Sequence, residues 1–420
     1  MKVDNLDFQI KILNKTIALR GRETYLFTSE SVAKGHPDKV CDQISDAIVD
    51  AVKKQDPTGR TAVECFIQGD LLVIGGEINT TATIDAQEIA KQVLRDIGYG
   101  DPQFGFDVEN ANIIVNLVQQ SSDIAHAVSA TVSKKLGAGD QGLMFGFACQ
   151  QTPEYMPAPI VYAHELLRSL EIARTTGVIK HLGPDAKSQV TIEYHKDDQT
   201  IKRIHTVVIS TQHTTEIDNE TLRRGIIGKV VKKVLPTEYL DEQTIYHINP
   251  SDNFVKGGPA ADTGLTGRKI IVDTYGGWGR HGGGAFSGKD CTKVDRSAAY
   301  MARYVAKQIV AAGLADEIEI QLSYAIGYHE PLSININTQG THKISEEQII
   351  HLIQENFDLE PGAIIERLEL TKPIFQQTAA LGHFGRPDLD LPWEKLDMVE
   401  TLQEAAQKHG FTPVRKLVLV

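Results

Sequence analysis

The sequence predicts an α+β protein built of three similar domains related by pseudo-threefold symmetry, with sheet faces left over for a partner subunit. Three observations carry that expectation. The same order of patterns, a helix, two strand-like runs and a further helix, recurs with helix starts near residues 37, 160 and 294. The strand-like runs come in adjacent pairs, which favours small antiparallel sheets with helices gathered on one face. A chain of 420 residues has length for two to four domains.

Taken in order, residues 1–22 form an N-terminal extension ahead of a first strand at 23–28. In the next stretch Pro37 suits a first helical turn, and Val40, Ile44, Ile48 and Val52 make an apolar stripe. The runs AVECFIQ and LLVIGGEI, a helix near 85–97 and the run NIIVNLVQ complete a first domain, 23–123. The small and polar stretch 121–142 reads as a mobile loop beside a site or as a plain linker, with 124–136 as the boundary. A central domain, 137–256, holds a helix at 160–174, the strands SQVTIEY and IHTVVIS, a helix near 217–234 and the strand TIYHIN. The C-terminal domain, 257–420, repeats the order with a helix at 294–312, EIEIQLSYAIG, LSININT and a helix near 345–356, and a less clear end.

Bulk properties exclude several classes. No apolar run approaches the ~18–20 residues of a membrane span, and residues 1–22 carry charges throughout, unlike a secretory signal. A cytoplasmic protein without a membrane partner is expected. The net charge of −12 argues against nucleic acid. Inside this acidic chain, Arg268, Lys269, Arg280, Lys289, Lys293 and Arg296 outnumber Asp262, Asp273, Asp290 and Asp295, which suggests a focused anion site. Cys41, Cys65, Cys149 and Cys291 lack metal or disulfide spacing.

That site centres on GGGAFSGKDCTKVDRSAAY, residues 282–300. Gly282, Gly283, Gly284 and Gly288 would let backbone N–H groups approach a phosphate, with Lys289 and Lys293 beside them. Thr292 and Asp295 fit a capping box for the helix that follows, which would put Lys293 in its first turn. The loop nearly matches a P-loop, but Asp290 stands where Ser or Thr is needed, and ten residues separate Gly284 from a strand-like run at 269–273. A P-loop fold is therefore rejected. The bland alternative is a glycine-rich hairpin. In GHPDK, Asp38 could bind a metal and His36 an anion, or Asp38 could simply favour a helix N-terminus. Asp140 in GAGDQG could satisfy turn amides. Asp185 with Lys187, and Asp262 with Arg268 and Lys269, could be surface pairs. Together, carboxylates, cations and glycine loops suit a polyphosphate held with Mg²⁺.

The motifs GHPDK, GAGDQGLMFG, DAKSQ, GLTGRKIIVDTYGG and GGGAFSGKD resemble the S-adenosylmethionine synthetase (methionine adenosyltransferase) family, from about Glu23 to Trp393. The resemblance implies synthesis of S-adenosylmethionine from ATP and L-methionine, with cleavage of the tripolyphosphate. It also implies sites between two subunits of a dimer or tetramer. By motif match, Asp38 and Asp295 would bind Mg²⁺, two ions per site, and Glu64 would bind K⁺. His36, Lys187, Arg268, Lys289 and Lys293 would act on the phosphates, with Lys269, Asp140, Asp185 and Phe254 also at ATP. Glu77, Gln120, Asp262, Lys293 and Ile326 would surround methionine. Asn253 departs from the family's usual Arg and Lys256 from its usual apolar residue, both on the adenine side. A Mg²⁺-dependent nucleotide or polyphosphate hydrolase and a non-catalytic nucleotide-binding regulator are the alternatives.

Overall fold

A computed structural model describes residues 23–119 and 135–411. The extension 1–22, Gln120 and most of the 124–136 boundary lie outside the described residues.

Strand β1 (Thr24–Val32) leads into helix α1 (Pro37–Gln55), hairpin β2 (Arg60–Gln68) and β3 (Leu71–Asn79), helix α2 (Ala86–Leu94) and strand β4 (Asn112–Gln119). The stripe Val40, Ile44, Ile48 and Val52 is fully buried. It belongs to a helix that begins at Pro37 because the proline's fixed φ suits the first turn and its missing N–H costs nothing there. Asp85 caps α2 by accepting the N–H groups of Gln87 and Glu88. The α2 crossover returns β4 parallel to β3.

The plan repeats with β5 (Gly142–Cys149), α3 (Ala158–Thr175), hairpin β6 (Leu182–His195) and β7 (Ile201–His213), α4 (Asn219–Ile226) and β8 (Ile245–Ile248), which lies parallel to β7. The third pass holds β9 (Gly264–Leu265), the short α5 (Ile270–Asp273), α6 (Val294–Ala311), hairpin β10 (Glu317–Tyr324) and β11 (Ser333–Asn337), then α7 (Glu346–Asn356), α8 (Pro361–Arg367) and α9 (Val399–Lys408). Helices replace the crossover strand at its end.

The three sheets run β1-β6-β7-β8, β11-β10-β5 and β4-β3-β2-β9. The strand ahead of each helix and hairpin therefore pairs in the sheet of the next pass. Val32 of β1 pairs with Lys187 of β6, Cys149 of β5 with Glu317 of β10, and Leu265 of β9 with Phe66 of β2. The exchange closes on itself after three steps, which is what a pseudo-threefold arrangement of α+β units requires. Gly264 is part of that closure, since a Cβ there would lie 2.2 Å from the Pro37 carbonyl oxygen.

Two local expectations are overturned. Residues 269–273 form a helical turn, not a strand, with the Asp273 N–H donated to the Lys269 carbonyl at 2.9 Å. Their β-branched run reads as a strand, but the buried ion pair of Asp273 with Lys39 holds the segment in a turn. The expected capping box also fails: Lys293 itself is the N-cap of α6 and makes no side-chain cap bond. Among the described residues no helix is long and apolar enough to cross a membrane. The four cysteines are buried and free.

Candidate functional site

Helix α1 carries aspartates at every fourth position, Asp38, Asp42, Asp46 and Asp50, and all four are buried. Four-residue spacing stacks them on one helix face beside the apolar stripe. Each holds a backbone amide of the third unit. Asp38 accepts from Leu265 N–H at 2.9 Å, Asp42 from Gly267 at 2.8 Å and Asp46 from Gly288 at 2.9 Å. Asp50 accepts from Phe375 and Gln376 at 3.0 and 2.9 Å. The repeat D-x-x-x-D from 38 to 50 is visible in the sequence, but its role in docking distant loops depends on what faces it. Arg296, fully buried, closes two bonds on Asp46 at 2.6 and 2.8 Å.

Asp46 thus fixes one end of the glycine loop, and strand β2 fixes the rest. Val63 donates its N–H to the Gly288 carbonyl at 3.0 Å, and Thr61 donates its own to Asp290 Oδ2 at 2.8 Å. The residue that breaks the P-loop pattern is therefore a buried anchor. Burial opposes its charge, yet Lys293 and Lys53 together with the bonds to Asp290 hold its carboxyl below the usual range.

Gly282, Gly284 and Gly288 serve close packing, which their reading as an open cradle does not include, while Gly283 stands open. A Cβ at Gly282 would lie 1.8 Å from the Leu143 carbonyl oxygen, at Gly284 2.3 Å from the Asp295 carboxylate, and at Gly288 1.8 Å from the Val63 oxygen. The Gly283 N–H is spent on His281 Nδ1 at 2.8 Å. The groups this rigid loop offers outward are side chains. Lys289 Nζ rests 2.6 Å from Asp295 Oδ2, and Lys293 Nζ 2.5 Å from Asp290 Oδ2, with Lys289, Lys293 and Asp295 all partly open to solvent.

A second group gathers at the N-terminus of α1. His36 Nδ1 accepts the Asp38 N–H at 3.2 Å, so the neutral ring carries its proton on Nε2, a buried atom without a protein partner. Burial, then Lys269 and Lys187, push the imidazole down to about 3, so it remains a neutral donor. Asp38 bonds Lys269 and lies 3.5 Å from Arg268 Nε. Burial would raise its pKa, but the bonds from Lys269 and Leu265 outweigh burial and lower it. Lys187, exposed on β6, adds its charge from beside Val32. Asp185 accepts the Gly258 N–H at 2.8 Å through Oδ2, while its buried Oδ1 has no partner. Burial raises this carboxyl to about 6. Asp262 is exposed and lies close enough to contribute to that rise.

Models of the S-adenosylmethionine synthetase N-terminal, central and C-terminal domains match residues 24–122, 135–254 and 256–395, in that order. The chain belongs to the S-adenosylmethionine synthetase family. It is 53% identical over 388 residues to the S-adenosylmethionine synthase of Clostridium botulinum (strain Alaska E43 / Type E3), covering 90% of this chain and 99% of that protein.

On this synthetase fold the remaining candidates divide by location. Asp140 and Ile326 are exposed on neighbouring loops: Gly327 donates its N–H to the Ala138 carbonyl at 2.8 Å, and a Cβ at Gly139 would lie 2.8 Å from the Thr292 carbonyl oxygen. The Asp140 loop therefore packs next to the Lys293 segment, and the Ile326 loop packs on the Asp140 loop. Phe254 is half-buried and its carbonyl accepts the His213 N–H at 3.0 Å, while Asn253 and Lys256 are exposed. Glu64 and Glu77 share the outer face of the β2–β3 sheet, with Ala62 opposite Glu77 and Gly75 opposite Glu64. Exposed Ile114 and Val118 of β4 continue that face. The two charged groups, around His36 and around Lys289, hang from Asp38 and Asp46, about 12 Å apart along α1.

Proposed function

We propose that this chain joins L-methionine to the adenosyl group of ATP, then cleaves the displaced tripolyphosphate to pyrophosphate and phosphate, in the cytoplasm. S-adenosylmethionine synthesis is the activity of its family, and the chain is an enzyme of that kind. The observation that carries the residue assignment is the paired resting state of the site: Lys289 on Asp295 and Lys269 on Asp38. Each pair holds a cation suited to phosphate beside a carboxylate suited to a metal.

When methionine sulfur attacks C5′, the C5′–O bond breaks and its electron pair leaves with the tripolyphosphate, carrying about four negative charges. Lys289, Lys293, Lys187 and Arg268 would bind those oxygens. Lys269 would have to release Asp38 Oδ2 to join them. His36 would donate its free Nε2–H to a phosphate oxygen. Because the backbone carrying Lys289 and His36 is held by α1 and β2 before substrate arrives, little reorganisation of these groups is needed as charge develops.

The family is metal-dependent, and the donor set of Asp38 and Asp295, hard carboxylate oxygens, fits Mg²⁺. Bound Mg²⁺, two ions per site, would neutralise part of the leaving group's charge. Asp185 and Asp140 would lie nearer the nucleoside with Phe254 at adenine, and Asp262, Glu77, Gln120 and Ile326 nearer methionine. Glu64 would hold K⁺. Glu64 and Glu77 sit on the sheet face that Ile114 and Val118 leave apolar, which supports a site completed by a second copy of the chain.

Incubation with ATP, L-methionine, Mg²⁺ and K⁺ tests the reading. We expect a sulfonium product whose appearance requires methionine, with pyrophosphate and phosphate in equal amounts. Phosphate release indifferent to methionine would replace it with a hydrolase, and ATP binding without turnover would leave a regulator.

A further inference from the structure

We propose that His351, Glu355 and His409 form a separate surface site for a late first-row divalent metal ion of the zinc class, which clasps helix α9 to helix α7. His351 and Glu355 lie one turn apart on α7, so both project from one face. His409 follows the last turn of α9, and its Nε2 lies 2.7 Å from Glu355 Oε2. The His351 and His409 rings are 4.8 Å apart, and Phe411 stacks on His409 at 5.2 Å, which orients that imidazole. One ligand atom from each of the three side chains falls within 4.8 Å of the others.

The donor set decides which ion fits. Two imidazole nitrogens and one carboxylate oxygen suit zinc, copper or nickel, whereas magnesium prefers oxygen ligands and keeps its waters. A tetrahedral ion with bonds of ~2.0–2.1 Å needs ligand atoms roughly 3.3 Å apart. The existing separations bracket that value, and small rotations of these solvent-facing side chains close the difference. Three protein ligands leave one coordination position for water. Neither His351, Glu355 nor His409 belongs to the groups around His36 and Lys289, so the site's effect falls on the attachment of the chain's last described helix, not on the chemistry at C5′.

The test uses the full chain, stripped of metal, held in excess Mg²⁺ to fill oxygen-rich sites, and titrated with Zn²⁺ by calorimetry alongside His351→Ala and His409→Ala. We expect the wild type to bind one more Zn²⁺ per chain than either variant, or to bind it roughly tenfold or more tightly. Turnover with ATP and methionine should be equal in all three. In parallel, Zn²⁺ should slow proteolysis near residue 409 in the wild type only. Equal Zn²⁺ stoichiometry and affinity in the three proteins, or no Zn²⁺ bound by the wild type, would overturn the proposal. Unchanged circular dichroism of the metal-free variants excludes misfolding as the cause of a difference.

Discussion

The Lys289 ammonium lies 2.6 Å from Asp295 Oδ2, and each side chain is about a quarter exposed or less, 25% and 20%. Asp295 sits in the first turn of α6, where a negative charge is favoured by the helix dipole. An arriving phosphate offers the lysine a second anion without moving its backbone, which is bridged to Ala62 of β2.

Lys289→Ala should therefore lower turnover by ~2.7–4 kcal/mol of barrier, the scale of one lost transition-state donor. Circular dichroism and thermal midpoint should stay close to wild type, because the side chain is partly exposed. Near-normal turnover in the folded variant would remove Lys289 from the mechanism.

Asp46→Ala should be far more damaging to the fold. It leaves Arg296 charged and fully buried without its carboxylate, a loss of about 3–5 kcal/mol, and frees the Gly288 amide. Urea denaturation measures it. A change below about 1 kcal/mol would contradict the anchoring role of the aspartate column.

Two glycines of the same loop should respond differently. Gly288 has φ +82° and no room for a Cβ, whereas Gly283, at φ +95°, has no atom within 4 Å of that position. Gly283→Ala should cost roughly the 1–2 kcal/mol of left-handed backbone alone. Gly288→Ala should cost more and also impair turnover, because the clash falls on the Val63 carbonyl beside Lys289. Equal thermal midpoints for the two variants would contradict the packing account.

Asp185 gives a pH-dependent expectation. Burial raises its folded pKa from 3.8 to about 6, so its relative stabilisation is fully present below pH 3.8 and is lost as pH rises towards 6. Asp185→Asn keeps an acceptor for Gly258 N–H and cannot ionise. The variant should gain up to about 3 kcal/mol relative to wild type at pH 7, and much less at pH 4. Denaturation at the two pH values would reveal an opposite trend if the carboxylate were instead stabilising when charged.

A site shared between copies predicts that specific activity falls on dilution together with the dimer population. Activity assays paired with mass measurement should show both transitions at one concentration. Full activity in a verified monomer would place the whole site on one chain.

Much of this was legible from local pattern. The stripe from Val40 to Val52, the paired strands and the three helix starts are set by periodicity and turn chemistry, which act over a few residues. The charged residues Asp38, Lys289 and Lys293 stand out because their spacing beside glycines is unusual in an acidic chain. The same local reasoning misread the 269–273 run and did not see the packing role of Gly282, Gly284 and Gly288. What those segments do depends on the Val63 carbonyl, the Asp295 carboxylate and Lys39, which are near in space but distant along the chain.

By itself the sequence determined most of the helices and paired strands, their threefold order and the chemical character of the anion site. Tertiary structure alone decided that β1, β5 and β9 each complete the next unit's sheet, and that the aspartates of α1 hold the loops of the third unit. The physical reason is that hydrophobic period states which face of a strand is buried, not which neighbour supplies its hydrogen bonds. A buried carboxylate likewise selects its partner only after packing brings an amide or a cation within reach.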